Sequence, residues 1–278
     1  IHGIIFYPSF PDQSNIYLDL TRCDDCGCIR PLYRFFSILS KAEKIMKNDE
    51  KINAWIKTQL EAQKEPSFQQ FMAKLLPGID NILGIRLPTL RKIAKQLAKG
   101  KWQDYLLLAL DDSYEEIMLQ GLVLGYAQGN LQEKEPFLRS YIPKIDNWSV
   151  CDSTCATVKL AKEEPEAFWN FLQEYLHSNR EYEVRFALVQ MLDYYINEAY
   201  LAHVLESIDH VNLKAYYVQM AQAWAVSICY REFPQQTLPY LKENHLDDFT
   251  HNKAIQKIME SLKVPKEEKL LLKTLKRI

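Results

Sequence analysis

The sequence predicts an all-α protein, an α-solenoid assembled from two-helix units. Three observations carry that reading. Apolar residues recur with helical spacing from Lys51 onward. Only 8 of the 278 residues are Gly, with 47% hydrophobic and 25% charged, a composition suited to helices joined by short loops. A small residue also recurs inside similar apolar segments, at Gly121, Ala156, Ala187, Ala221 and Ala254, at intervals of 35, 31, 34 and 33 residues. Two helices per unit of roughly 33 residues mark a helical repeat array, in which the small residue lets neighbouring helices approach closely.

Residues 1–45 differ from the remainder. They hold Pro8, Pro11, Pro31 and the run Cys-Asp-Asp-Cys-Gly-Cys, with little helical periodicity, and the first Met is Met46. This segment is expected to be a poorly ordered extension outside the native domain, with residues 46–278 forming a single repeat domain. Cys23, Cys26 and Cys28 lack the fourth ligand of a structural zinc site and no second pair follows, so no metal is expected. Residues 51–63 pattern as an amphipathic helix closed by Pro66. Pro77-Gly78 breaks the following segment, leaving room for a helix over about 67–76. Pro88 fronts a basic helix over 89–98, with Leu90, Ile93, Ala94 and Leu97 on one face. The windows 117–127, 184–195 and 218–228 carry the recurring small residue. Shorter helical stretches over 135–142, 165–177, 200–208 and 236–243 lie between them.

Net charge is −2, unlike a generic nucleic-acid binder, but the charge is segregated. Residues 84–101 carry Arg86, Arg91, Lys92, Lys95, Lys99 and Lys101 with no acid. Such a face can bind phosphate whatever the net charge, and it can equally be solvated helix surface. No apolar run approaches the roughly 20 residues of a membrane helix, and no basic leader precedes an apolar stretch, so a cytoplasmic protein is expected.

The informative side chains are dispersed over three units. Trp148 and Asp152 are four apart, on one face of a helix starting near Asn147. Trp148 fits core packing, and Asp152 fits a charge placed near a helix N-terminus. Arg185 lies two residues before Ala187 on an apolar helix. It therefore needs an acid such as Asp152 or Glu183, or a ligand. Trp224, three after Ala221, also fits core packing. The six His show no metal spacing, and no serine-nucleophile, P-loop or dinucleotide fingerprint is present. Cys151 and Cys155 suit small buried hydrophobes better than a redox pair.

Four segments carry a resemblance: Leu-Gly-Ile-Arg-Leu-Pro-Thr-Leu-Arg ending at Arg91, Asn-Trp-Ser-Val-Cys-Asp ending at Asp152, Val-Arg-Phe-Ala around Arg185, and Ala-Trp-Ala-Val around Trp224. Over about residues 50–265 the chain resembles the DNA alkylation repair proteins of the HEAT-like-repeat alkylpurine DNA glycosylase family. The resemblance implies a curved solenoid of HEAT-like repeats cradling duplex DNA in a concave groove. It implies hydrolysis of the N-glycosidic bond of N3- or N7-alkylated purines without a base-flipping pocket, and no cofactor. Asp152 would be the catalytic carboxylate beside the deoxyribose, with Trp148 and Trp224 against the sugar and backbone. Arg185 would engage phosphate; Arg91 and Lys95 would add phosphate contacts from the basic helix. Because the lesion already carries positive charge, the enzyme's task is to stabilise an oxocarbenium-like sugar and position water.

Two departures separate the chain from the active pattern. The segment before Gly84 is interrupted, whereas active members place a DNA-gripping helix there. The motif reads Trp-Ser-Val-Cys-Asp where the active pattern has more polar character and a second acid. Three functions therefore stay open: a glycosylase, a non-catalytic DNA-binding member of the same family, and a protein-binding scaffold using acidic Asp247-Asp248 and the aromatic-rich residues 182–195 and Tyr216-Tyr217. A monomer, associated with the nucleoid when bound to DNA, is the expected form.

Overall fold

The structure, a computed structural model, describes residues 51–278. The expectations for residues 1–45, including the absence of metal at Cys23, Cys26 and Cys28, lie outside the described residues. The described chain is all-helical: α1 (residues 51–61), α2 (Pro66–Leu75), α3 (Leu87–Ala98), α4 (Trp102–Leu108), α5 (Tyr114–Tyr126), α6 (Leu131–Tyr141), α7 (Trp148–Cys155) and α8 (Leu160–Glu163). It continues through α9 (Pro165–Leu176), α10 (Glu181–Tyr194), α11 (Leu201–His210), α12 (Tyr216–Glu232), α13 (Pro234–Lys242), α14 (Asp248–Glu260) and α15 (Lys266–Thr274).

Two layers result. Helices α3, α5, α7, α10, α12 and α14 pack each against the next. The second layer returns the chain: α4 lies on α3 and α5, α6 on α5, α9 on α10, α11 on α10 and α12, α13 on α12, and α15 on α14. This is the α-solenoid, and its core runs along the seam between the layers. Leu119, Leu122, Phe186, Leu188, Ala221 and Ala225 are all fully buried there.

The small residue recurs as expected, with one correction. Ala156 is exposed at the C-cap of α7; the buried small side chain at that level is Thr154. A Cβ on Gly121 would stand 2.1 Å from Thr154 Oγ1, so these two helices touch at that level. The Thr154 hydroxyl is satisfied by Tyr141 at 2.8 Å, which is how a polar side chain fills the place of an alanine. The structural register is 121, 154, 187, 221 and 254, more even than the sequence pattern suggested.

The segment before Gly84 forms a helix close to the predicted place, α2, and Gly78 turns the chain at φ 88°. Gly84 is required where it stands. Its φ is +87°, and a Cβ would lie 2.6 Å from the Glu65 carbonyl and 2.7 Å from the Gln69 Cβ. The buried Glu115 carboxylate accepts the backbone N–H groups of Leu83, Gly84 and Ile85 at 2.8, 2.8 and 3.1 Å, pinning this loop onto α5.

Candidate functional site

Asn147 opens α7 by accepting the Val150 N–H at 3.0 Å, and its side chain is buried. That cap sets the phase of the helix, so Val150, Cys151, Thr154 and Cys155 face the core. Trp148 and Asp152 fall on the half-exposed side. Asp152 lies beyond the first turn, and its partner is Arg185 rather than the helix dipole. The Arg185 Nε and Nη2 donate to the two carboxylate oxygens at 3.0 and 2.8 Å, a bidentate pair. Nη1 donates to the Tyr217 carbonyl at 2.7 Å, and the guanidinium lies 5.9 Å from the Tyr217 ring centroid.

The two partners are exposed very differently: Arg185 by 7% and Asp152 by 23%. Burial alone would lower the Arg185 pKa, but the Asp152 hydrogen bonds and charge outweigh it and the net shift is upward. The guanidinium is therefore held charged. Arg185 does not fit the phosphate contact expected for it, because Nε, Nη1 and Nη2 already donate within the chain and little of the side chain reaches solvent. The carboxylate presents the outward edge of the pair.

Trp148 is half-buried against the core, and its Nε1 donates to the Leu75 carbonyl at 3.3 Å, at the end of α2. The helix before Gly84 thus reaches the site that it was expected to be interrupted from serving. Trp224 is also half-buried, on α12, and no hydrogen bond joins it to the Asp152–Arg185 pair. In the repeat register it stands nine positions beyond Trp148, an axial offset of roughly 13 Å at about 1.5 Å per residue.

Arg91 is partly buried on α3, and its Nη1 donates to Tyr126 Oη at 2.8 Å and Thr157 Oγ1 at 3.1 Å. Lys95 is exposed, with its ammonium 5.1 Å from the Tyr126 ring centroid. Arg86, by contrast, is spent on Glu65 at 2.9 Å, so the basic stretch is only partly free.

Sequence reasoning missed three participants. Tyr217 is one, because its contribution is a backbone carbonyl. Tyr182 is another; its ring stacks toward Tyr217 at 5.5 Å on the same side of the layer. Asp193 follows Arg185 by eight residues on α10. Exposed at its outer edge, its carboxyl is still pushed up to about 6, by lost hydration first and the Asp152 charge second. Repeat spacing was a signal for Tyr182, 35 residues before Tyr217, but not for the Tyr217 carbonyl. Cys151, Cys155 and Cys229 are free and buried, as small hydrophobes should be. No metal-binding group occurs among the described residues, and none of their helices is long and apolar enough to cross a membrane.

The family model described as DNA alkylation repair enzyme matches residues 56–258, which span every helix contributing to this site. No curated protein matches the chain.

Proposed function

The chain belongs to the DNA alkylation repair enzyme family, and from that premise we propose that it binds alkylated duplex DNA across the face carrying Trp148, Asp152 and Trp224 and hydrolyses the N-glycosidic bond of cationic N3- or N7-alkylpurines. One observation carries the reading: a carboxylate fixed by a bidentate guanidinium and still partly exposed, on the helix face it shares with Trp148. Asp152 would stabilise positive charge growing on the deoxyribose as the base departs, and would orient the attacking water. Trp148 and Trp224 would pack on the sugar and backbone to either side. Arg185 acts as a positioning residue, holding the Asp152 carboxylate in one orientation. Arg91 and Lys95 would meet phosphate.

The test is release of 7-methylguanine or 3-methyladenine from alkylated duplex DNA. Asp152→Asn should lower the single-turnover rate about 10²–10³-fold, the loss expected when one preorganised electrostatic group is removed. Release by wild type no faster than the spontaneous rate would sink the glycosylase reading. A second reading, DNA binding without excision, is favoured by the pairing itself, since Arg185 offsets much of the charge that Asp152 would offer a cation. It gains if duplex binding is steeply salt-dependent while no base is released.

A further inference from the structure

At the C-terminal ends of α5 and α7, a cavity of about 320 Å³ is lined by Arg91, Tyr126, Lys134, Thr157, Lys159 and Glu163. Three of these are cations and one is an acid. Two further lysines flank the cavity. Lys95 sits 5.1 Å from the Tyr126 ring centroid, and Lys162 5.5 Å from that of Tyr194, whose hydroxyl donates to the last carbonyls of α7. In a chain of net charge −2 this is a marked local excess of positive charge.

Lys134 is the telling member. It is 5% exposed, and among the described residues it has no ion-pair or hydrogen-bond partner. Lys159 and Glu163, by contrast, are exposed. The Lys134 stem is packed away while its ammonium keeps some solvent contact, and burial still pulls its pKa down against the charges of Glu163 and Glu133. Complementing helix C-termini explains exposed cations at about 0.3–1 kcal/mol each. It does not explain a lysine whose stem is buried and whose ammonium, among the described residues, has no carbonyl in hydrogen-bond reach. Arg91 adds unspent donors, because only its Nη1 is engaged. The Thr157 hydroxyl beside it is already ordered by the Ser153 carbonyl at 2.7 Å.

We propose that this cavity is a subsite for one phosphate of the bound DNA strand, with Lys134, Lys159 and Arg91 as its ligands. The assignment rests on the reading of the neighbouring face as DNA-binding. Ala156, on the cavity wall, is one helical turn past Asp152, about 6 Å along α7. The subsite would therefore hold the strand in register with the carboxylate.

The experiment measures duplex affinity against NaCl concentration for wild type, Lys134→Met and Lys159→Gln. Each variant should bind several-fold more weakly, with a log–log salt slope shallower by about one. A series of duplexes with single neutral methylphosphonate linkages should contain one position that weakens wild type several-fold and leaves Lys134→Met unchanged. Equal slopes in all three proteins overturn the subsite while leaving DNA binding intact. Salt-independent affinity of the wild type overturns the DNA-binding reading and the subsite with it. Inorganic phosphate, titrated at constant ionic strength, separates the remaining source. If it raises the melting temperature of wild type but not of Lys134→Met, while duplex slopes stay equal, the cavity serves a free anion and the proposal fails. Should Lys134→Met not fold, Lys159→Gln, at an exposed position, carries the same test.

Discussion

Arg185 constrains its surroundings more than any other side chain in the site. Its guanidinium is nearly buried and hydrogen-bonds only to Asp152 and one backbone carbonyl. Removing one partner of a buried pair strands the other charge, at about 3–5 kcal/mol. Asp152 is partly exposed, so Asp152→Ala should lie near the low end, about 3 kcal/mol, read as a fall in urea midpoint at unchanged slope. Asp152→Asn keeps one acceptor oxygen and should lose less than the Ala variant. A midpoint equal to wild type for Asp152→Ala would mean that the pair is not structural, and its geometry would then owe more to the groove than to the fold. At this scale the sequence was half legible. An Arg on an apolar helix had to find an acid, and Asp152 or Glu183 were within reach. Glu183 turns out to be taken by Ser178 at 2.6 Å and Arg180 at 2.9 Å. The Tyr217 carbonyl could not be foreseen, because every residue carries one and only the packing of α12 against α10 selects it.

Elements were legible wherever caps and periodicity agreed. The helices at α5, α9, α10, α11, α12 and α13 appear within a few residues of their predicted windows. Helix α6 starts earlier than expected, at a capping box made by Asn130 and Glu133 whose spacing was present in the sequence. Short α4 lacks a side-chain cap, and its apolar residues include the exposed Leu107, so no amphipathic stripe announced it. The loop before α3 was the least legible of all, because its order comes from Glu115, some thirty residues later in the chain. That contact supports two predictions. Gly84→Ala would need both a disfavoured positive φ and relief of clashes with Glu65 and Gln69, and should cost about 2–3 kcal/mol by chemical denaturation. Glu115→Ala removes the acceptor for two buried N–H groups and one part-buried one and should cost at least as much, about 3 kcal/mol. A nearly neutral outcome for both would show that the loop is not held as the geometry implies. Because the end of α2, which this loop follows, accepts the Trp148 indole N–H at Leu75, either variant should also shift tryptophan fluorescence before global unfolding.

In the whole molecule, repeats touch only their neighbours, so stability is nearly a sum of unit and interface contributions and the array frays from its ends. The 33-residue spacing was readable from sequence because each layer demands one small residue. Ala156 misled by two positions because Thr154, with Tyr141 to satisfy its hydroxyl, does the same steric work. At the C-terminal end the sequence marked Ala254 but not the contacts that close the array. There His251 on α14 is 1% exposed, with its Nε2 2.9 Å from the Leu275 carbonyl and its Nδ1 3.2 Å from Asn244 Nδ2. Arg277 ties the same end down through the Leu246 and Asn244 carbonyls. The His251 pKa is lowered, by burial first, with the Arg277 charge contributing and the Leu275 carbonyl opposing. A histidine whose folded pKa lies below the unfolded value of about 6.5 binds fewer protons when folded. The stability it lends is therefore present above pH ~6.5 and declines as pH falls through that value toward the folded pKa. Hydrogen exchange should accordingly show α14 and α15 losing protection as pH falls below ~6.5, while α5 and α10 keep theirs. His251→Gln, which cannot titrate, should flatten that dependence. Loss of protection spread evenly over the array, or persisting in the variant, would place the acid-sensitive group elsewhere than this terminal unit.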